Sequence, residues 1–152
     1  MKAMTKRTLT AVMACIMACM MFAMPVFAAN TTPSSFSKST TKLNAYNGGK
    51  SNESTFSSGS IPDGASITSV QIHYTVASGT DPYTVYLISP EGTMYIEAGP
   101  TSSKTVYDIK DFNGENPYGT WKAYIVNSGY STHGSVYPAS TVTLSVTVYY
   151  EY

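Results

Sequence analysis

Apolar and polar residues alternate with a period of two through most of the chain beyond residue 60. Val70, Ile72, Tyr74 and Val76 alternate with Ser69, Gln71, His73 and Thr75, the pattern of a strand with one buried face. Tyr83, Val85 and Leu87 make a second apolar row, and Trp121, Ala123 and Ile125 a third behind Lys122, Tyr124 and Val126. The most regular row is Val142, Leu144, Val146 and Val148 against Thr141, Thr143, Ser145 and Thr147. Thr93–Ile96 begins a returning hairpin arm, and Thr105–Ile109 is a weaker strand. Turn signals separate these rows. In Pro62-Asp63-Gly64 proline fixes φ and Asp-Gly supplies the reversal, and Ser89-Pro90-Glu91-Gly92 closes the next strand. Residues 29–152 carry no helical period. About seven to eight turn-punctuated strands predict an all-β fold, an antiparallel β-sandwich. In that fold Gly119 turns the backbone sharply into a strand, and Trp121, the single tryptophan, fills the space between two sheets.

The first 28 residues follow different rules. Lys2, Lys6 and Arg7 precede an uncharged apolar run that ends at Pro25 and the small-residue site Val26-Phe27-Ala28. This is the pattern of a secretory signal peptide, so residues 1–28 are set apart from the fold. Cys15 and Cys19, the only cysteines, lie within it; Ile16-Met17-Ala18-Cys19 is similar to a lipoprotein processing box, but apolar residues continue after Cys19. Cleavage after Ala28 leaves a cysteine-free domain held together by its core alone. Residues 29–44 are polar and simple in composition and are expected to form a flexible lead to a domain spanning 45–152. Removing Lys2, Lys6 and Arg7 leaves six lysines and no arginine against nine acidic residues. A net charge of about −3 without a basic patch argues against nucleic acid as a partner. The expected location is secreted or at the cell surface, with no membrane partner once the leader is removed.

Few residues carry chemistry. A serine nucleophile needs an oriented base, and only His73 and His133 are available; His73 is expected to be bonded within the sheet and His133 to sit in a solvated loop. No catalytic residue is assigned. Two distant histidines without cysteine do not make a zinc site. Asp108, Asp111, Asn113 and Glu115 bring hard oxygen ligands together around an Asn-Gly turn and are the candidates for calcium, although their spacing departs from the EF-hand loop and suits a structural turn. All thirteen tyrosines lie beyond the leader. Tyr86, Tyr124 and Tyr149 fall opposite the apolar rows, where they either bind a sugar or a protein or simply cover a sheet.

Phe112-Asn113-Gly114-Glu115-Asn116-Pro117-Tyr118-Gly119-Thr120-Trp121 resembles the F-x-G-E-x-x-x-G-T-W strand entry of P domains (P/Homo B domains), which come after the catalytic domain in proprotein convertases and many subtilisin-like proteases. Leu87-Ile88-Ser89-Pro90-Glu91-Gly92-Thr93 is similar to that family's L-x-SP-x-G-T hairpin. Val70–Thr75 resembles its histidine-threonine strand, and Ile61-Pro62-Asp63 its opening turn. The resemblance spans about residues 45–150 and implies a jelly-roll-like sandwich. Gly79–Tyr83, Asn127 and Ser135–Pro138 depart from the family pattern, and no catalytic domain accompanies it. The resemblance implies a non-catalytic binding or accessory module for a secreted or surface protein, such as a subtilisin-type protease. The alternatives are a carbohydrate- or cell-wall-binding module and an envelope protein that self-associates through an edge-like strand at 141–150.

Overall fold

Nine antiparallel strands are arranged in two sheets in the computed structural model, which describes residues 31–46, 48–78, 81–127 and 140–152. The leader with Cys15 and Cys19, and the loop with His133, lie outside the described residues. The strands are β1 (Pro33–Ser39), β2 (Leu43–Ala45), β3 (Ser54–Ser57), β4 (Ser66–Ser78), β5 (Tyr83–Ile88), β6 (Met94–Ala98), β7 (Lys104–Ile109), β8 (Thr120–Asn127) and β9 (Ser140–Glu151). One sheet has the order β1-β9-β4-β7, with β2 also on β9; the other has the order β3-β8-β5-β6. This is the all-β sandwich that the alternation predicts.

The alternating rows face each other across the sandwich. Val70, Ile72 and Tyr74 of β4 and Val142, Leu144, Val146 and Val148 of β9 are buried against Val85 and Leu87 of β5 and Trp121, Ala123 and Ile125 of β8. The whole cluster draws its members from residues 43–148, so the unit Thr31–Tyr152 contains its own core. Trp121 is fully buried, stacks near Phe56 with an interplanar angle of 6°, and meets Phe112 edge-on at 5.2 Å between centroids. Its indole N–H donates to Pro117 O at 3.3 Å. Gly119 has φ of 135°, and a Cβ there would stand 2.8 Å from Pro90 Cβ. The two motifs around Pro90 and Gly119 thus meet in space, and the Asn116 N–H donates to Glu91 Oε1 at 2.7 Å.

Three expectations are corrected. The polar residues 29–44 read as a flexible lead contain β1 and the first two residues of β2. Pro33–Ser39 pairs with β9 in continuous register from Pro33↔Glu151 to Ser39↔Ser145, so the lead is a strand. Its serines hid it: Ser37 Oγ and Thr147 Oγ1 lie 2.8 Å apart, and Ser39 Oγ and Ser145 Oγ 2.7 Å, making cross-strand hydroxyl pairs with no hydrophobic signature. With these two and β3, the described residues hold nine strands where seven to eight are expected. The strand at 141–150 is not an edge. β9 lies between β4 on one side and β1 and β2 on the other, because its alternate valines suit a position covered on one face and paired on both flanks.

A candidate binding face on the four-stranded sheet

The outward residues of β5 and β8 bring two of the three sequence-selected tyrosines together. Tyr86 and Tyr124 are directly opposed across the β5–β8 pair. Their rings stack 4.7 Å apart with an interplanar angle of 11°. Lys50, bridged to Val126 on the far side of β8, holds its Nζ 3.8 Å from the Tyr124 ring centroid. Tyr86 approaches that ring from β5 and Lys50 from the β3 side, so Tyr124 has both faces covered. On the other flank of Tyr86 stands its cross-strand neighbour Ile96 of β6, which is 55% exposed. The result is a ladder across the outward face of the sheet, Lys50–Tyr124–Tyr86–Ile96.

Ion pairs border this ladder on the Lys50 side. Lys50 Nζ lies 3.1 Å from Glu53 Oε2, and Lys122 Nζ 4.0 Å from Glu53 Oε1. On β6 the outward residues beside Tyr86 are apolar, with Met94 42% exposed next to Ile96. Tyrosine and aliphatic side chains thus lie beside a lysine–glutamate rim. Lys50 and Ile96 are missed by sequence reasoning, since only the pairing of strands distant in the chain puts them beside the tyrosines.

The other candidates separate from this face. Tyr149 lies on β9 in the five-stranded sheet, 39% exposed, where its hydroxyl donates to Gln71 Oε1 at 3.3 Å. His73 Nδ1 is 2.8 Å from Thr105 Oγ1 across β4 and β7, an interstrand contact as expected. Among the calcium candidates, Asp108 has φ of 58° and pairs with Lys110 at 2.6 Å. Asn113 and Glu115 close a tight turn: their N–H groups donate to Lys110 O at 3.0 Å and Phe112 O at 3.2 Å. Among the described residues no group of three or more His, Cys, Asp or Glu side chains is gathered for a metal.

A polar clasp that the alternation does not reveal spans the mouth of the sandwich between β6 and β7. Glu97 Oε2 accepts hydrogen bonds from Tyr74 at 3.1 Å and Tyr95 at 2.5 Å, while its Oε1 lies 3.6 Å from Lys104 Nζ. Burial first, and the Glu97 charge second, push the Tyr74 phenol far above its ordinary value. Burial and the bond to Glu97 likewise raise Tyr95. Tyr83, whose hydroxyl donates to Pro100 O at 2.7 Å, is pushed up to about 12 by burial. All three phenols are neutral donors, and the bond from Tyr74 on β4 to Glu97 on β6 ties the two sheets together.

No family model matches the chain, and no curated protein matches it. Solved structures do resemble it. FlhE superposes with a TM-score of 0.50 at 18% identity, over 80% of this chain and 98% of that one. A family two carbohydrate esterase from Cellvibrio japonicus gives a TM-score of 0.38 at 9% identity, over 80% of this chain and 35% of the other. Turnip yellow mosaic virus gives 0.37 at 14% identity, over 84% and 83%. At such identity the likeness to FlhE is one of fold.

Proposed function

We propose that the chain is a secreted, non-catalytic binding module that holds a protein partner against the outer face of its four-stranded sheet. The observation that carries this reading is the closed ladder of Lys50, Tyr124, Tyr86 and Ile96. A sugar ring stacks on an open aromatic face, and both faces of Tyr124 are occupied within the protein. Ring edges, phenol hydroxyls and exposed aliphatic groups remain, and these suit a protein surface better than a glycan. The resemblance of residues 45–150 to P domains supplies the proposed class of partner, a secreted subtilisin-type protease or a surface protein associated with one.

The test immobilises residues 31–152 and offers separately the source cell's secreted proteins and its purified wall polysaccharide. Expected is retention of a defined protein, with the double variant Tyr86→Ala/Tyr124→Ala weakening retention at least tenfold, the loss of about 1.4 kcal/mol. Polysaccharide retention alone, or protein retention that ignores the double variant, overturns the assignment.

A further inference from the structure

We infer that β6 is the pairing edge of a homodimer, in which two copies join their four-stranded sheets into one of eight strands. This rests on the backbone and does not depend on what the ladder binds.

The Gly99 N–H donates to Tyr83 O at 2.7 Å and the Ser89 N–H to Thr93 O at 2.9 Å. Both pairs extend the β5–β6 register, in which Val85 faces Glu97 and Leu87 faces Tyr95. Hydrogen-bonded and non-bonded pairs alternate along an antiparallel ladder. Tyr95 and Glu97 therefore turn their N–H and C=O groups toward β5, and Met94, Ile96 and Ala98 turn theirs outward, away from the sheet. No bond from these three outward residues to a loop is present among the described residues.

The other strands with a single neighbour carry the features that discourage strand addition, and β2 is only three residues long. β1 starts at Pro33 and bears Lys38; β7 bears Lys104 and the left-handed Asp108. β3 is four residues long and comes just after the Lys50–Glu53 ion pair. β6 has no lysine, proline or left-handed residue. Its single charge, Glu97, faces the sandwich interior and is already matched by Tyr74, Tyr95 and Lys104.

The strand is also complementary to itself. Pairing two copies antiparallel about Ile96 sets Ile96 against Ile96 of the second copy and Met94 against Ala98, all apolar on the outer face. On the inner face Tyr95 meets Glu97 of the second copy, a phenol against a carboxylate, and no like charges are opposed. Such a two-fold contact closes on itself and stops at a dimer. It is small beside the roughly 1,200–2,000 Å² of a stable complex, so the expected dissociation constant is on the order of 100 µM.

Sedimentation equilibrium of residues 31–152, from about 10 µM to about 1 mM, should show a monomer passing to a dimer across that range. Ile96→Lys places two ammonium groups at the two-fold axis and should keep the protein monomeric, with an unchanged circular dichroism spectrum because the position is exposed. Ile96→Cys introduces the only cysteine of this segment. Directly opposed Cα atoms about 5.5 Å apart are within disulfide reach, so oxidation should yield a linked dimer. Thr55→Cys on β3 is the control and should not. The inference is overturned by a wild-type monomer at the highest concentration, by a dimer that survives Ile96→Lys, or by equal cross-linking from Thr55→Cys.

Discussion

Trp121 shows how one side chain gathers several local decisions. It needs Gly119 in the left-handed region ahead of it, Pro90 packed over that glycine, and Phe56 and Phe112 around the indole. Trp121→Ala would leave a void between the sheets and should cost about 3–5 kcal/mol, read as a fall in the urea midpoint. Gly99 is a second such position, set by contact where Gly119 is set by φ. A Cβ on Gly99 would lie 2.0 Å from the Tyr83 ring. Gly99→Ala should therefore force the ring aside and lower stability by about 1–3 kcal/mol in the same measurement.

Among the elements, β1 changes the picture most. Its seven residues pair along β9 and cover that strand's far side, with Phe36 packed on the core near Tyr150. A chain starting at Thr40 should unfold at lower urea concentration and aggregate on storage, because it bares one flank of a valine-rich strand. A flexible tether would leave both properties unchanged, so light scattering and urea titration of the truncated chain separate the two readings. The legibility of strands obeys the same physics. β4, β5, β8 and β9 bury large aliphatic rows and are read directly from alternation, whereas β1 and β3 are rich in serine and β2 is three residues long, so their pairing depends on the strand opposite.

For the whole domain, the clasp around Glu97 sets a pH limit. Tyr74, Tyr83 and Tyr95 hold their protons in the folded state beyond the ordinary phenol value of 10.0. The unfolded chain releases those protons first as pH rises. Their contribution is thus complete below about pH 10 and declines above it. Thermal melts should show a Tm that is flat from about pH 8 to 9.5 and then falls, with the share of the 295 nm ionisation that belongs to these three phenols appearing only as the protein unfolds. Tyr83→Phe should reduce the steepness, since it removes one phenol whose value burial has shifted to about 12.

Alternation, turn residues and one tryptophan determined the all-β sandwich and most of its core, because burial of one strand face leaves a period of two in any sequence. They also singled out Tyr86 and Tyr124 as outward aromatic residues. Which strands became neighbours was decided only by the tertiary structure. Tyr86 stacks on Tyr124, and Lys50 caps the pair, because β5 pairs with β8 and residue 50 is bridged to β8. Tyr149 was sent to the opposite sheet, β9 to the middle of its own, and β6 to the end of the four-stranded order. Those outcomes depend on contacts between residues tens of positions apart, and the local pattern of hydrophobic and polar residues does not record them.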